Sequence, residues 1–398
     1  MKDRTQVAIV GAGPAGLLLG RLLRLSGIDN VVLEARDRAY IEQRLRAGLL
    51  EQPTVDLLDA AGVGDRLHRE GKFHEGFELR FGGRRQRVDM RELTGRAITV
   101  LYPQTEVVKD LLAARDRSGD PIEFDVSDVR PERIDGSEPL VRYRSAAGVE
   151  CELRADFIAG CDGFHGVCRP AVPAGIARTY LRDYPFAWLG ILAEAPPVAD
   201  ELIYAHHARG FSMHSMRSDK VSRLYLQIAP DDASENWTDE RIWAELHERM
   251  DGDRHGRLNE GPIINKSITP MRSFVTEPLQ HGSLFLAGDA AHIVPPTAAK
   301  GLNLAAADAC ALSDGLITFY RQGDRSVLDA YSSVALRRIW RAQEFSRSMT
   351  ELLHHVPGQP FDARLQRARL EGLVASRAAL TAFCENYTGL PFAGRIHH

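Results

Sequence analysis

Three short segments carry the residues whose types and spacing best suit nucleotide chemistry. They are Gly11-Ala12-Gly13-Pro14-Ala15-Gly16, Gly160-Cys161-Asp162-Gly163 and Gly288-Asp289-Ala290-Ala291-His292. The first lies between an apolar run at 7–10 and a helical stretch at 17–25, and the next apolar run ends at Glu34. Each of the other two follows a run of apolar residues that is typical of a buried strand.

The first segment predicts a bound dinucleotide. Gly11, Gly13 and Gly16 permit a tight turn and let the backbone approach a pyrophosphate closely, while the N-terminus of the following helix faces the phosphates. Glu34 stands where an acid accepts hydrogen bonds from ribose hydroxyls. A GxGxxG pattern alone is weak evidence, since other glycine-rich turns match it, but the acid after the second strand strengthens it.

The composition is that of an ordinary globular protein. Of the 398 residues, 44% are hydrophobic and 26% are charged, which excludes disordered and collagen-like classes. The formal net charge of -4 gives no electrostatic reason to expect a nucleic acid or an anionic membrane as partner. No apolar stretch approaches the ~20 residues that a membrane span needs. The chain runs directly into its first strand, so we expect a cytoplasmic protein.

The cysteines favour the same compartment. The chain has 5 of them and no C-x-x-C pair. We therefore expect reduced thiols, no disulfide framework and no metal site.

The elements around these segments indicate a mixed α/β (α+β) fold. The first 35 residues predict a β-α-β unit, and the alternating segments 140–144 and 151–154 predict antiparallel strands. From about 184 to 269, strand-like runs predict a second sheet, with Thr238 capping an amphipathic helix that extends to Met250. Beyond Gly301 the pattern is almost wholly helical.

We therefore predict a Rossmann-like dinucleotide-binding domain with an inserted sheet domain for the substrate and a C-terminal helical region. The predicted boundaries are 1–181 and 270–320 for the dinucleotide-binding domain, 182–269 for the inserted sheet, and 321–398 for the helical region. A cleft between the two sheets is where a ligand is expected to bind.

The same segments resemble the flavin-dependent aromatic hydroxylases. Residues 157–163 are similar to the second signature of that family, and residues 286–296 to its third. Further segments resemble members that act on 4-hydroxybenzoate, and the likeness extends from residue 5 to about 392. These segments are Arg46-Ala47-Gly48-Leu49-Leu50-Glu51-Gln52, Glu201-Leu202-Ile203-Tyr204-Ala205, Arg209-Gly210-Phe211, Ser215-Met216-Arg217-Ser218 and Glu385-Asn386-Tyr387-Thr388-Gly389-Leu390-Pro391.

The resemblance implies an activity and its cofactors. They are bound FAD, NADPH or NADH as co-substrate, O2, and hydroxylation of 4-hydroxybenzoate to 3,4-dihydroxybenzoate through a flavin C4a-hydroperoxide. It also implies a homodimer. Asp289 would hold the ribityl chain, and the backbone at Leu302 and Asn303 would steady the flavin ring. The other implied contacts of the cofactor are Gly11, Gly13, Gly16, Glu34, Arg44, Arg46, Ala47, Gln104, Asp162 and Arg223.

One of these contacts, Arg223, has an alternative interpretation, and one further position, Ala298, departs from the family. Arg223 would lie near the flavin, although an arginine of this kind is also a common ion-pair residue. Ala298 stands where relatives have glycine, next to the flavin and the substrate.

Oxygen transfer to a ring carbon is faster when the phenol is ionised, so the site must hold a carboxylate, ionise a phenol and exclude water. The resemblance assigns the carboxylate to Ser215, Arg217 and Tyr225. Strand alternation places Ser215 and Arg217 on one face. Arginine offers a planar fork with two donors, which suits a carboxylate.

For the ionisation, the resemblance implies a chain of hydroxyl groups. Tyr204 would contact the substrate phenol and bond Tyr387, which stabilises a phenolate and passes its proton outward. His74 matches the outer end of this relay, although a lone histidine is more often structural. The carbonyl of Pro296 would accept a hydrogen bond from the phenol.

For the electron donor, the resemblance implies a surface cleft without a second GxGxxG. The residues at its phosphates and its adenosine end would be Arg44, His165, Arg272, Arg36, Arg38 and Tyr40. Relatives that are strict for NADPH have Arg and then Gln at positions 35 and 36, where this chain has Ala35 and Arg36. Asp37 would repel a 2′-phosphate. We predict relaxed donor use with NADH accepted; the alternative is that these charges only form a solvated helix face.

Two other functions are compatible with parts of this pattern. The substrate could be another aromatic acid, such as 4-aminobenzoate or a dihydroxybenzoate, because one hydroxyl group in a pocket changes discrimination by only ~1–3 kcal/mol. A non-catalytic flavin- or nucleotide-binding protein would retain the scaffold. Such a protein would have no reason to keep Tyr204, Tyr387 and Arg217 together.

Overall fold

The computed structural model describes residues 3–43, 48–96, 98–99 and 101–392. Its strands are β1 (Arg4–Val10), β2 (Asn30–Leu33), β3 (Phe73–His74), β4 (Gly76–Phe81), β5 (Arg84–Asp89), β6 (Ile98–Thr99), β7 (Ile122–Glu123), β8 (Ser127–Glu132), β9 (Leu140–Arg144), β10 (Glu150–Gly160), β11 (Arg178–Ala193), β12 (Leu202–His206), β13 (Ser212–Ser218), β14 (Val221–Ile228), β15 (Ile263–Glu277), β16 (Gln280–His281), β17 (Leu284–Leu286) and β18 (His292–Ile293).

Helices cover the sheets and make up most of the chain after residue 300. They are α1 (Pro14–Leu25), α2 (Arg38–Gln43), α3 (Gln52–Ala60), α4 (Asp65–Glu70), α5 (Met90–Thr94), α6 (Gln104–Ser118), α7 (Asp239–Arg249), α8 (Gly252–His255), α9 (Gly301–Gln322), α10 (Ser326–Asp329), α11 (Tyr331–Leu353), α12 (Pro360–Ala375) and α13 (Arg377–Thr388). Short 3-10 turns at Gly288–Ala290 and Pro296–Ala298 precede α9.

The first sheet has the strand order β16-β17-β10-β1-β2-β7. Strands β17, β10, β1, β2 and β7 run parallel to one another, whereas β16 pairs antiparallel with β17 and β9 pairs antiparallel with β10. Helices cover a parallel sheet on both faces, so its strands are apolar on both sides. The second half of β1 is accordingly an apolar run in which Val7, Ala8 and Ile9 are fully buried. The predicted β-α-β unit and the predicted pairing of 140–144 with 151–154 are both confirmed.

The second sheet has the order β18-β15-β11-β14-β13-β12-β4-β5. Its central strands are those predicted from about 184 to 269, but its pairing extends beyond the expected 182–269 segment. Strand β4 pairs parallel with β12, placing Leu79 opposite Tyr204, and β5 follows β4. Strands β11 and β15 also cross the predicted boundaries, with a register shift between Asp183 and Ala187. The local sequence pattern of a strand does not show which distant strand it pairs with.

A second hydrophobic core joins this second sheet to the C-terminal helices. Phe77 and Tyr204 from the sheet pack in one cluster with Phe345 of α11 and Tyr387 of α13. The other face of the sheet packs against α7, which begins after Thr238 as predicted. The Thr238 side chain accepts a 3.3 Å hydrogen bond from the backbone N–H of Arg241.

Among the described residues, α9 is long and apolar enough to cross a membrane by length and composition alone. Its most apolar 18-residue window is 72% buried inside the fold. Helix α9 also contains Asp308 and Asp314, and burial of this window is typical of a core helix. Its apolar residues, such as Leu304 and Leu312, pack in the core of the first sheet.

Candidate active site

The glycine-rich loop has the geometry that the sequence predicts. Gly11 has φ +106, and a Cβ there would lie 2.3 Å from the carbonyl oxygen of Cys161. A Cβ on Gly16 would lie 2.1 Å from the carbonyl oxygen of Gly11. A Cβ on Gly13 would meet nothing within 4 Å, so this residue faces open space at the N-terminus of α1. A pyrophosphate fits that space, because the helix N-terminus favours an anion there.

Glu34 lies directly after β2, beside this loop. Its two carboxylate oxygens accept hydrogen bonds from the backbone N–H groups of Ala12 at 2.7 Å and Arg36 at 2.9 Å. These contacts fix the carboxylate next to the glycines. Its remaining lone pairs are available to the ribose hydroxyls that the sequence assigns to it.

Asp162 and Asp289 belong to segments that lie beside the glycine-rich loop: a Cβ on Gly11 would lie 3.0 Å from Cα of Asp162, and one on Gly288 would lie 3.2 Å from Cβ of Ala15. Asp162 accepts a 2.8 Å hydrogen bond from the N–H of Cys168, while its Oδ1 is buried with no partner within the described residues. Asp289 lies in the 3-10 turn before α9 and is exposed. A buried carboxylate oxygen without a donor and an exposed carboxylate on a glycine turn both suit the hydroxyl-rich chain of FAD.

The first turn of α9 supplies backbone donors. Leu302 and Asn303 lie there, where helix N–H groups have no intrahelical acceptor. The Asn303 side chain holds this turn against the start of α3. Its Oδ1 accepts from the N–H of Glu51 at 2.9 Å, and its Nδ2 donates to the carbonyl oxygen of Leu49 at 2.9 Å. The residues present therefore fit FAD.

Three predicted cofactor contacts, Arg44, Arg46 and Ala47, lie outside the described residues. The next residue, Gly48, approaches the segment before α6 so closely that a Cβ would lie 2.2 Å from the Cα of Pro103. Gln104 is the first residue of α6. The backbone at Gly48 is thus in contact with the segment that leads into the predicted cofactor ligand Gln104.

A cavity lies between the second sheet and the turn at Pro296–Ala298, and it encloses about 780 Å³, part of which is open to solvent. It brings together the substrate-binding residues predicted from the sequence. They are Tyr204, Ser215, Arg217, Tyr225 and Pro296, joined by Arg223. The remaining wall is formed by Gly48, Leu49, Trp188, Leu192, Leu202, Met213, Met216, Thr297 and Ala299.

The sheet register orders these residues along the cavity. Tyr204, Met213 and Tyr225 are aligned across three neighbouring strands, and Ser215 is aligned with Arg223. These two rows are two residues apart, which is about 7 Å along a strand.

Arg217 and Arg223 make this part of the cavity cationic. Within the described residues neither guanidinium has a carboxylate partner, and Nε of Arg223 is buried without an acceptor. The Arg223 guanidinium lies 5.2 Å from the ring centroid of Tyr225. Burial, and then the charge of Arg223, lowers the pKa of Arg217. Two half-buried cations without a counter-ion favour a bound anion.

The hydroxyl groups of Tyr204 and Tyr387 form the predicted pair, with 2.5 Å between their oxygens. Burial raises the pKa of both phenols, so both remain protonated at neutral pH. His74 is buried in β3, and neither of its ring nitrogens has a hydrogen-bond partner within the described residues. Burial lowers the pKa of His74 to about 4. His74 is therefore a neutral proton acceptor near pH 7, but it does not bond the tyrosine pair directly.

The turn just before α9 contains one non-glycine residue whose backbone is in the left-handed region. This residue is Ala299, with φ 51, and it follows Ala298, which is buried. The Ala299 carbonyl accepts a 3.0 Å hydrogen bond from Nδ2 of Asn303. The strained position is thus adjacent to Ala298, for which the resemblance implies glycine in the family.

The residues predicted to bind the nicotinamide donor form two groups. At one, His165 and Arg272 both contact the ring of Phe164, with the His165 and Phe164 centroids 5.0 Å apart. Arg272 also donates to Asp183 at 2.7 Å. Phe164 is an aromatic contact that the sequence analysis did not single out.

At the other group, the Arg36 guanidinium lies 5.4 Å from the Tyr40 centroid. Arg38 donates to both oxygens of Asp116, at 3.1 and 2.7 Å, and to Glu42 at 2.7 Å. Arg38 is therefore compensated by two carboxylates, and the sequence did not show this because Asp116 lies 78 residues away.

Sequence reasoning also missed two buried polar pairs. Nζ of Lys300 bonds the Glu51 carboxylate and the carbonyl oxygens of Asn386 and Tyr387. His292 bonds Asp308 at 2.6 Å, and the same Asp308 oxygen accepts from the N–H of Gly288. His292 belongs to the third sequence segment, and this membership is the one feature of the sequence that could have pointed to its pair with Asp308. Both pairs hold the turns that flank the start of α9.

The fold and the site define an FAD-binding protein, and residues 4–346 match the family described as FAD binding domain. A p-hydroxybenzoate hydroxylase of Acinetobacter baylyi is 50% identical over 391 residues, which cover 98% of this chain and 96% of that protein. The chain belongs to this family of FAD-dependent aromatic hydroxylases. The predicted family and cofactor are confirmed.

More distant relatives share the architecture. A probable NADH-specific resorcinol 4-hydroxylase of Rhodococcus jostii is 26% identical, with 83% of this chain and 62% of that protein covered. The structure of a p-nitrophenol 4-monooxygenase from Pseudomonas putida DLL-E4 superposes with a TM-score of 0.80 at 19% identity, covering 97% of this chain and 98% of that one. The last comparison confirms the predicted mixed α/β fold.

Proposed function

We propose that the protein hydroxylates 4-hydroxybenzoate to 3,4-dihydroxybenzoate with NADH or NADPH and O2. One observation carries this proposal: a single cavity is lined by Arg217 and Arg223, which have no carboxylate partner within the described residues, and by Tyr204. The Tyr204 hydroxyl is bonded to that of the buried Tyr387 behind it. A para-hydroxylated benzoate has a carboxylate and a phenol at opposite ends and matches both features. The name of the relative that is 50% identical supports the same substrate.

In this proposal Arg217 binds the substrate carboxylate with its two-donor fork, and the hydroxyl groups of Ser215 and Tyr225 donate beside it. The Ser215 hydroxyl now donates to the Met216 carbonyl oxygen at 3.2 Å, so it would turn toward the ligand. A carboxylate bonded by charged donors is held in a defined position, and this orients the aromatic ring.

At the other end, Tyr204 bonds the substrate oxygen and Tyr387 bonds Tyr204. The substrate proton passes to Tyr204 while Tyr204 releases its own proton to Tyr387, so no charged base is needed in the buried site. In the proposal His74 passes the proton on at the outer end of the relay, and a bridging group such as water links it to Tyr387. The Pro296 carbonyl accepts from the phenol before ionisation.

FAD, when bound, supplies the redox chemistry: it takes electrons from the nicotinamide and activates O2. The residues that would hold it are the three glycines of the first loop, Glu34, Asp162, Asp289 and the first turn of α9. Arg44, Arg46, Ala47, Gln104 and Arg223 are proposed as further contacts. The apolar wall of the cavity, with Leu192, Leu202 and Met213, excludes water from the reacting ring.

The electron donor is proposed to bind at His165 and Arg272 and along α2. Because Arg38 is held by Asp116 and Glu42, a 2′-phosphate would find Arg36 as its main cation there. We therefore propose relaxed donor use with NADH accepted.

We further propose a homodimer located in the cytoplasm. Phe361 and Leu365 are exposed one turn apart on α12 and offer an apolar contact surface. The five free cysteines suit a reducing compartment. Sedimentation velocity at micromolar concentration measures the oligomeric state.

The visible spectrum of the purified protein and its nicotinamide oxidation test the function. We expect the absorbance of oxidised flavin, slow oxidation of NADH without an aromatic acid, and oxidation faster by orders of magnitude with 4-hydroxybenzoate, with 3,4-dihydroxybenzoate as product. Stimulation by 4-aminobenzoate but not by 4-hydroxybenzoate would instead support the alternative substrate. A protein without flavin or without stimulation by any benzoate would contradict the proposal.

A further inference from the structure

One wall of the substrate cavity is held by a buried histidine that does not line the cavity. Nε1 of Trp188, a wall residue, donates a 2.6 Å hydrogen bond to Nε2 of His354, which follows α11. An indole N–H only donates, so this Nε2 must be unprotonated. Nδ1 of His354 lies 2.9 Å from the Thr350 carbonyl oxygen, to which it donates. The two bonds fix one neutral tautomer of the imidazole.

The ring of His354 is also part of an aromatic stack. It lies against Phe186 at 4.6 Å and Phe211 at 4.5 Å between centroids, with interplanar angles of 9° and 29°. Trp188 stacks on Phe211 at 5.3 Å. These four rings, from β11, the segment before β13 and the end of α11, form one rigid block, which we call the aromatic wall.

The aromatic wall contacts both ends of the cavity. Trp188 lies 4.8 Å from the ring of Tyr225, in the cationic part, and Phe211 lies 6.3 Å from the ring of Tyr204, at the hydroxyl pair. An indole that rotated would change both the cavity surface and the support of Tyr225. The orientation of Trp188 therefore bears on how well the cavity fits the substrate ring.

The backbone around His354 is held as firmly as its ring. Nε2 of Gln366 donates to the His354 carbonyl oxygen at 2.6 Å. The side-chain amide of Gln227, on β14, makes two hydrogen bonds to the backbone of the next residue, His355. It donates to the His355 carbonyl oxygen at 2.6 Å and accepts from the His355 N–H at 3.1 Å. The acceptor nitrogen is thus fixed relative to the sheet, as a positioning contact requires.

We propose that His354 is a specificity-determining positioning residue. By accepting the Trp188 N–H it holds the indole flat against the substrate ring, so that the cavity accepts 4-hydroxybenzoate and rejects benzoates with an additional ring substituent. This inference rests on the proposed function, since it assumes that the cavity binds a 4-hydroxylated benzoate.

The test uses the holoenzyme and three variants. His354→Phe keeps a stacked ring but removes the acceptor, Trp188→Phe removes the donor, and the third variant combines both. His355→Phe is the matched control, because it makes the same change at the next position, whose contacts with Gln227 are made by the backbone. The dissociation constants of 4-hydroxybenzoate and 4-hydroxy-3-methylbenzoate are measured by calorimetry, and kcat/KM is measured for both.

We expect His354→Phe to weaken binding of 4-hydroxybenzoate about tenfold and to reduce the preference over the methylated analogue at least fivefold, with FAD retained. His355→Phe should change neither. The double variant should resemble Trp188→Phe alone, because the two residues act through one hydrogen bond. A structural role alone would lower the melting temperature and leave the preference unchanged.

An unchanged preference in His354→Phe, or additive effects in the double variant, would overturn the inference. If His354→Phe does not fold, Trp188→Phe with its preference intact would overturn it equally. If the wild-type holoenzyme binds neither benzoate, the proposed function itself fails, and this outcome is distinct from the others.

Discussion

The hydroxyl oxygens of Tyr204 and Tyr387 lie 2.5 Å apart although 183 positions separate the two residues in the chain. Tyr204 comes from β12 and Tyr387 from α13, so the C-terminal helix supplies the hydrogen-bond partner of a tyrosine that lines the cavity. Burial raises the pKa of both phenols, and each hydroxyl group is therefore a neutral donor and acceptor. Removing either hydroxyl leaves the other without its buried partner, which is costly.

We expect Tyr204→Phe and Tyr387→Phe to bind FAD and to be reduced by the nicotinamide, because neither residue belongs to the glycine-rich loop. Hydroxylation should fall by about 10²-fold, the usual scale for loss of positioned proton transfer, and peroxide should be released instead. Oxygen uptake with and without catalase, together with product analysis, measures this uncoupling.

Tyr184→Phe is the control for this pair. Its hydroxyl lies 3.2 Å from Ser273, within the same aromatic cluster but away from the cavity lining. Full coupling in Tyr204→Phe or Tyr387→Phe would show that the relay assignment is wrong.

Arg217→Lys should weaken binding of 4-hydroxybenzoate by about 1.5–3 kcal/mol, because an ammonium group cannot reproduce a two-donor contact with a carboxylate. Equilibrium titration of the holoenzyme gives the dissociation constant. Arg337→Lys, at an exposed position of α11, should leave it unchanged. If the Arg217→Lys constant equals that of the wild type, the carboxylate binds elsewhere.

The features that could be predicted from the sequence are those formed by residues close together in the chain. Gly11 has φ +106 and Gly16 lies against the carbonyl oxygen of Gly11 in the same turn. The Thr238 cap lies three residues from its donor. Both features therefore have short sequence patterns. The strands β4 and β5 were not expected in the second sheet, because β4 pairs with β12 more than 100 positions away. Pairing over that distance is decided by packing.

The same limit applies within the site. The residues of the cavity were predicted through family resemblance, whereas the contact of Trp188 with His354 spans 166 positions and has no sequence motif. Lys300 and Glu51 likewise meet only in three dimensions. The order of charges along the chain cannot show which arginines form ion pairs. Only the fold shows that Arg38 is paired with Asp116, whereas Arg217 has no carboxylate partner within the described residues.

Buried histidines should make the folded state sensitive to acid. Burial lowers the pKa of His214 to about 4, with Arg80 lowering it further and Glu78 opposing, whereas an unfolded histidine has a pKa near ~6.5. Between these values the unfolded chain binds more protons, so the stability is complete above about pH 6.5 and is lost as the pH falls toward 4. His74, with a pKa of about 4, and His354, with a pKa of about 3, act in the same direction.

We expect the free energy of unfolding in urea, with excess FAD, to decline from pH 6.5 to pH 4.5. In His214→Gln this decline should be smaller by about 1 kcal/mol per pH unit, since one titrating group contributes at most ~1.4 kcal/mol per unit. Parallel pH profiles for the variant and the wild type would contradict the assignment of His214 as a buried neutral group.

The contact of Arg38 with Asp116 leads to the last prediction, which concerns the electron donor. A 2′-phosphate is bound by an arginine whose charge is free, and here Arg38 is held by Asp116 and Glu42, while Asp37 caps α2 through the N–H of Tyr40 at 2.7 Å. The wild type should therefore use NADH well. A preference for NADPH above about a hundredfold in kcat/KM, or ~2.7 kcal/mol, would contradict this expectation.

Asp116→Asn tests the physical reason. Removing this carboxylate releases one of the two constraints on Arg38, and the kcat/KM ratio of NADPH to NADH should rise about threefold to fivefold, the scale of an exposed ion pair. Asp120→Asn is the matched control. Asp120 lies two residues beyond the end of α6, the helix that contains Asp116, but it pairs with Arg24 at 3.2 Å. Steady-state kinetics with both donors on one preparation gives the ratio. An equal rise in the two variants would mean that a general loss of negative charge, and not the release of Arg38, controls the choice of donor.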